Sequence, residues 1–254
     1  MDFEGIYSNY LKKKSREYKE KNKDYIDWFS ASSAGSCLKK QWYKVNDIQE
    51  SDITNDESMR KMRIGTLVHE DFEKAVKYHI KNKEDDNFII KTEQSVIIKD
   101  LKVIGHLDCS VIHKEKSEAY IWDYKTTASY SWKKTFGRNR NEFHHTNYGL
   151  QVATYAIGLT ETEKTINHYD DVETYLIWYN KDTSQMREQR IPEFFIIDAI
   201  DYWNDAGQFI EQVKDETTII PKLDDGIPFQ SWECNYCSWK TLCHQQIKGV
   251  KNER

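Results

Sequence analysis

The sequence predicts an α/β protein in which a mixed central β-sheet is flanked by helices. Two observations carry this prediction. Apolar residues recur at helical spacing from Glu57 to about Lys81, and three short strand-like segments follow. Helical spacing then returns from Tyr148 to Leu159, ahead of a further strand. Because helical and strand patterns alternate along the chain, the strands are expected to share one sheet with helices on its faces.

Composition limits the classes of protein that fit. Of 254 residues, 38% are hydrophobic and 31% charged, which is typical of a soluble globular chain. The net charge of -5 means that any DNA binding must come from a local basic groove. No apolar run has the length of a membrane span, and the first residues lack a signal-peptide pattern, so we expect a cytoplasmic protein in a bacterial, archaeal or phage-infected cell.

The elements divide the chain into three predicted segments. Residues 1–56 form an N-terminal helical segment, 57–215 the core, and 216–254 a cysteine-rich segment. The first segment holds a charged helix to about residue 27 and a serine-rich stretch that could cap a helix beginning near Cys37. The core elements follow in order: strands Glu93–Lys99, Lys102–His113 and Glu118–Lys125, helix Tyr148–Leu159, strand Val172–Tyr179, and an amphipathic helix from Phe195 to Val213.

A candidate site lies near the end of the predicted strand Glu118–Lys125. Alternation puts Asp123 and Lys125 on one face of their strand, and Asp108 lies on the preceding strand. If the strands pair as a hairpin, the two carboxylates converge. Paired carboxylates suit Mg²⁺ or Mn²⁺, which polarises a phosphodiester and lowers the pKa of a bound water. A neighbouring lysine can offset developing negative charge.

Each signal has a plainer alternative when taken alone. The D-x-K pattern also occurs by chance at Asp100-Leu101-Lys102, and a surface ion pair would explain it. A histidine beside an apolar stripe, such as His69, is usually a packed or capping residue. Gln151 and Tyr155 lie four residues apart and share a helix face, which suits contact with phosphate or sugar but also an ordinary helix surface.

Together the motifs resemble a known family. Their order is Gly65-x3-His69, Gly105-x2-Asp108, Asp123-x-Lys125 and Gln151-x3-Tyr155. This order is similar to the RecB-like nucleases of the PD-(D/E)xK superfamily, across roughly residues 60 to 160.

The resemblance implies a role for each motif residue. It implies His69, Asp108, Asp123 and the backbone carbonyl of Tyr124 as metal ligands, with Glu93 as an additional acidic residue. It implies Lys125 as the catalytic lysine and a restriction-endonuclease-like core. Gln151 and Tyr155 would then orient DNA or the lysine.

The cysteines form a second constellation. Cys234, Cys237 and Cys243 lie close together in sequence, and Cys37 is the obvious distant fourth ligand, whereas Cys109 fits a small buried residue inside a strand. Spacing alone leaves structural zinc and a [4Fe–4S] cluster equally open. The pattern resembles the AddB nuclease domain, and it also resembles the fourth CRISPR-associated protein family, whose members are iron–sulfur exonucleases. The resemblance implies an iron–sulfur cluster that staples the terminal region, with zinc as the alternative.

A basic and aromatic stretch follows the catalytic strand. Lys133, Lys134, Arg138 and Arg140 could contact phosphates, while Trp132, Phe136 and Phe143 could stack on bases. A solvated loop with a few packing anchors is the plain alternative.

The sequence thus predicts a metal-dependent DNA exonuclease acting on single strands or DNA ends. Recombination, repair, phage DNA processing and CRISPR adaptation all fit, with a possible protein partner in such a complex. The chain has no Walker A motif, so we do not expect it to unwind DNA by ATP hydrolysis. The alternative is an inactive nuclease-fold module that binds DNA and is stapled by a metal cluster.

Overall fold

The computed structural model describes residues 1–21, 23–81, 87–141, 145–168, 171–213 and 231–252. Phe143 and part of the predicted C-terminal segment therefore lie outside the described residues. The helices are α1 (Phe3–Lys21), α2 (Leu38–Val45), α3 (Asp56–Lys81), α4 (Ser129–Phe136), α5 (Thr146–Thr162), α6 (Phe194–Gln212) and α7 (Lys240–Asn252).

The described strands form one mixed sheet. They are β1 (Phe29–Ser30), β2 (Phe88–Ile98), β3 (Val103–His113), β4 (Ala119–Thr127), β5 (Val172–Asn180) and β6 (Met186–Ile191). The order across the sheet is β1-β3-β4-β5-β6, with β2 also paired to β3. The β2–β3, β3–β4 and β5–β6 pairs are antiparallel, whereas β1–β3 and β4–β5 are parallel. The predicted mixed α/β architecture is confirmed.

The parallel β4–β5 pair requires a crossover, and α5 provides it. Every residue from Gly149 to Leu159 is buried on this helix. Gly158 brings the helix so close to β2 that an added Cβ would lie 2.9 Å from the Val96 Cβ. This tight packing fixes α5 against the sheet face that carries Ile121 and Leu176, both buried.

Several elements differ from the sequence-based expectation. Strand β2 begins at Phe88 rather than Glu93, and β1 and β6 were not predicted. Helix α4 forms at the start of the basic and aromatic stretch, for which a solvated loop was the alternative prediction. Its start depends on a distant residue, because the Asp182 side chain accepts a hydrogen bond from the Ser129 N–H at 2.7 Å. Local sequence patterns do not report such long-range capping.

The chain divides into two compact units. One comprises residues 29–35 and 67–205 and contains the sheet. The other comprises residues 1–28, 36–66 and 206–254, and in it the N-terminal and C-terminal segments pack together. There Trp239 stacks on Tyr43 with ring centroids 5.6 Å apart, and its indole N–H donates to the Ile48 carbonyl. No helix among the described residues combines the length and apolar character that crossing a membrane requires.

Candidate active site

The strands β3 and β4 separate where the predicted carboxylates lie. Their pairing runs from Ile112 opposite Ala119 to Cys109 opposite Trp122. Beyond this point the backbone pairing ends, and the Asp108 side chain replaces it. Its Oδ2 accepts a hydrogen bond from the Tyr124 N–H at 2.6 Å. The structure therefore brings the carboxylate of Asp108 beside the backbone that follows Asp123.

Asp123 and Lys125 form a buried ion pair on β4. Asp123 is 1% exposed, and burial raises its pKa to about 6, although the Lys125 ammonium opposes this shift. Burial lowers the pKa of Lys125 more than any single neighbour raises it, but Asp123, Tyr148 and Asp108 together outweigh burial and keep the lysine pKa above its ordinary value. The lysine is therefore held charged in a water-poor site.

Two residues of α5 complete this buried group. The Gln151 amide donates to Asp123 Oδ1 at 3.2 Å, and Gln151 Oε1 accepts from the Lys125 ammonium at 3.0 Å. The same amide donates to the Tyr155 hydroxyl at 2.9 Å. Both α5 side chains are buried, so their observed contacts orient the lysine and carboxylate rather than an exposed ligand.

A glycine makes room for this network. A Cβ at Gly105 would lie 2.7 Å from Tyr155 Cε1 and 2.7 Å from the Ala31 Cβ. Real side chains do not approach so closely, which explains the glycine that precedes Asp108 in the motif.

Two further titratable side chains, His69 and Glu93, lie near Asp108. His69 on α3 has its Nδ1 3.6 Å from Asp108 Oδ2. The pairing of β2 with β3 is interrupted at Glu93 and Asp108, and Glu93 has a φ of 51°. Burial raises the pKa of Glu93, and the charges of Asp108 and Glu73 add to this effect.

Sequence reasoning missed Glu73 as a member of this acidic group. It lies four residues after His69 on α3 and accepts a hydrogen bond from the Thr92 hydroxyl at 3.4 Å. The four-residue spacing from His69 was a usable signal, because it places both side chains on one helix face.

Comparison with known proteins identifies the fold. The family model described as the PD-(D/E)XK nuclease superfamily matches residues 72–244, which is more than half of the chain. The chain belongs to this superfamily. No curated protein sequence matched.

Solved structures resemble this PD-(D/E)XK protein over most of its length. The crystal structure of SSO0001 is 15% identical, with a TM-score of 0.58, and the match covers 96% of this chain and 98% of that one. The alkaline exonuclease LHK-Exo from Laribacter hongkongensis is 13% identical, with a TM-score of 0.45, over 76% of this chain and 92% of that one. At 15% identity the likeness to SSO0001 concerns the fold alone.

PD-(D/E)XK nucleases typically use divalent metals such as Mg²⁺. Within the described residues, no three His, Cys, Asp or Glu side chains converge closely enough to hold a metal ion as they stand. The chemistry of the donors nevertheless fits a hard cation. Asp108 and Asp123 supply carboxylate oxygens, which a hard cation prefers, and the buried Asp123 Oδ2 would be shared between the cation and the Lys125 ammonium that it contacts.

The four predicted cluster cysteines fall in one compact unit of this nuclease-fold chain. Cys37 precedes α2, Cys234 lies in a short 3-10 helix, and Cys243 lies on α7. Burial raises the pKa of the Cys37 thiol to about 11, and the charges of Cys243 and Cys237 add to this rise. Among the described residues, however, no three of these thiols converge closely enough to hold a metal ion as they stand. Cys109 is buried in β3, as predicted for a small core residue.

The predicted DNA-contacting stretch begins on α4, four residues after Lys125. Lys133, Arg138 and Arg140 are exposed. The Lys134 ammonium lies 4.6 Å from the ring centroid of Tyr130, and Trp132 packs on Phe136 with centroids 4.8 Å apart. Trp132 is half-buried, so in this structure its ring supports the helix.

Proposed function

We propose that this protein is a Mg²⁺- or Mn²⁺-dependent deoxyribonuclease that hydrolyses phosphodiester bonds at single strands or DNA ends. The observation that carries the proposal is the buried Asp123–Lys125 pair on β4, joined to Asp108 through the Tyr124 N–H. A buried carboxylate with a raised pKa beside a charged lysine is costly for folding, and such arrangements are concentrated at functional sites.

Five groups would hold the cation. Asp108 and Asp123 supply carboxylate oxygens, and His69, the Tyr124 carbonyl and Glu93 complete the set. When bound, the ion polarises the phosphodiester and lowers the pKa of a bound water.

The remaining residues act directly on the substrate or on the lysine. The Lys125 ammonium offsets the negative charge that develops on the phosphate. Gln151 holds Lys125 and Asp123 at a fixed separation, and Tyr155 holds the Gln151 amide. Because these groups are buried before substrate arrives, little reorganisation is needed during the reaction.

The DNA strand would lie along α4. Lys133 on α4 and Arg138 and Arg140 just after it are exposed cations that fit phosphates, and their closeness in sequence to Lys125 supports this path. Unpaired bases would be favoured, because the exposed ring of Tyr130 lies on the same helix as Lys133.

The test is release of nucleotides from end-labelled single-stranded DNA in the presence of Mn²⁺. Asp123→Ala and Lys125→Met should each lower kcat by at least about a thousandfold, since each removes a charge that stabilises the transition state. Asp100→Ala is a matched control. Asp100 belongs to the D-x-K sequence in the exposed turn between β2 and β3, and its loss should leave the rate unchanged.

Substrates with blocked 5′ ends, blocked 3′ ends or closed circles separate exonuclease from endonuclease activity. Equal cleavage by the wild-type protein and Asp123→Ala would contradict the catalytic assignment. DNA binding without any cleavage by the wild-type protein would instead favour the inactive binding module.

We further propose that Cys37, Cys234, Cys237 and Cys243 hold a [4Fe–4S] cluster. Their shared compact unit and mutual influence on thiol pKa support a common site. Iron and zinc should be measured in protein purified without oxygen. Iron with acid-labile sulfide is the expected result, and zinc without iron would establish the zinc alternative.

A further inference from the structure

The ammonium of Lys125 meets a different kind of group on each of three sides. Asp123 supplies a carboxylate, and Gln151 Oε1 lies 3.0 Å away. The third group is the ring of Tyr148, whose centroid lies 4.9 Å from Lys125 Nζ. An aromatic face attracts a cation within about 6 Å of its centroid, and more strongly where water is excluded.

The ring of Tyr148 is itself held on both sides. It stacks on His145 with centroids 5.0 Å apart and an interplanar angle of 13°. It also contacts Trp178, whose ring is 5.7 Å away and whose residue is 1% exposed. The Trp178 indole N–H donates to Gln189 Oε1 at 2.9 Å. The platform beneath the ammonium is therefore fixed by buried packing.

Tyr148 and Gln151 reach the lysine from the same helix. They are three residues apart on α5, so they share a face. A lysine side chain has four flexible carbon–carbon torsions, and ordering it costs substantial rotamer entropy. Gln151 provides a directional contact at one point, whereas the ring covers a broad side of the ammonium and limits its rotation away from the site.

We propose that Tyr148 is a positioning residue that holds the Lys125 ammonium through the face of its ring. The inference rests on the proposed function, which makes Lys125 the catalytic lysine. The ring does not contact the phosphate. It keeps the ammonium at the place where the phosphate arrives and replaces part of the hydration that burial removes.

The first test compares Tyr148→Leu with Tyr148→Phe in cleavage of single-stranded DNA. Leucine removes the ring and should lower kcat about 3- to 30-fold while KM changes less than about twofold. Phenylalanine keeps the ring and should recover most of that loss. The matched control is Tyr120→Leu. Tyr120 is half-buried on β4, where it stacks on Trp122 and is not part of the site.

A second series keeps the shape of the ring and so protects the test from a folding defect. Phenylalanine analogues with increasing ring fluorination, placed at position 148, weaken the negative face of the ring stepwise. We expect kcat to fall with each step. A flat series would overturn the inference, because packing alone is insensitive to the charge of the ring face.

A double-mutant cycle gives a readout independent of activity. With Lys125 present, Tyr148→Leu should have a lower free energy of unfolding than Tyr148→Phe. This difference should be smaller in the Lys125→Met background, since the ammonium is then absent. An equal loss in both backgrounds would contradict a contact with the ammonium. If Lys125→Met cleaves normally, the proposed function fails. If Lys125→Met is inactive while Tyr148→Leu keeps its kcat, the present inference fails and the proposed function stands.

Discussion

The two helices that flank β4 differ sharply in how they are packed. Helix α5 buries every residue from Gly149 to Leu159, whereas α3 has no buried residue. Within the sheet-containing unit, α3 contacts β4 mainly through aromatic edges, with Phe72 and Tyr124 centroids 5.0 Å apart. A cavity of about 460 Å³ lies beside it, lined by apolar residues that include Val76, Val111 and Ile177.

This difference divides the site into two kinds of residue. The α5 side fixes Asp123, Lys125 and Gln151 in a hydrogen-bonded group before any ligand arrives. The α3 side contributes His69, whose side chain is 30% exposed and whose nitrogen is 3.6 Å from Asp108. His69 is half-buried and its ring contacts Tyr124 edge-on, and no residue of α3 is buried, so this side is packed less tightly than the α5 side. The contrast teaches that one strand can have a tightly packed helix on one side and a loosely packed helix on the other.

The largest expected effect is on stability. Leu150→Ala on α5 should lower the free energy of unfolding by about 2–5 kcal/mol, because Leu150 is buried and its removal leaves a cavity. Leu67→Ala on α3 makes the same change at a residue that is 46% exposed and should cost about 0.5 kcal/mol or less. Urea denaturation measures both. Similar losses would remove the contrast between the helices.

The next effect separates stability from cation binding. Gln151→Ala should cost about 1–3 kcal/mol of unfolding free energy in the metal-free protein, because Asp123, Lys125 and Tyr155 lose a buried partner. His69→Ala should leave this free energy nearly unchanged but weaken Mn²⁺ binding by about 10- to 100-fold. Calorimetric titration with Mn²⁺ checks the second point. Unchanged affinity would remove His69 from the ligand set.

The smallest effect is a dependence on pH. A carboxylate binds a cation after losing its proton, and the pKa of Asp123 is about 6. Mn²⁺ affinity should therefore be full above about pH 7 and fall towards tenfold per unit below pH 6. Asp123→Asn has no titrating carboxyl at this position. The fall in Mn²⁺ affinity that protonation of Asp123 causes should therefore be absent from this variant. Protonation of Asp123 itself favours the folded state, because its folded pKa lies above the unfolded value, so the lost affinity should not reflect Asp123-driven unfolding.

Much of the architecture was accessible from the sequence because periodicity reports local geometry. The alternation in AYIWDYKTT places Asp123 and Lys125 on one face, and the register shows Lys125 beside Trp178 of β5. Short or exposed elements escaped prediction, since β1 has two residues and β6 has a mostly polar sequence. Helix α4 also depends on Asp182, which is distant in sequence.

The candidate site was less accessible than the fold. Asp108 could be selected from its strand, but its contact with the Tyr124 N–H depends on where β3 and β4 separate. No periodicity encodes that point. Tyr148 was missed because an aromatic residue at helical spacing usually signals core packing. Its contact with the lysine depends on tertiary structure.

The polar sequence of β6 has a consequence for solubility. This strand ends the path of the sheet and exposes Arg187, Glu188 and Arg190 along its length. A strand from another molecule that extended the sheet here would have to strip water from these charges. The outer strand therefore discourages edge-to-edge aggregation and allows the apolar interior of the sheet to remain enclosed.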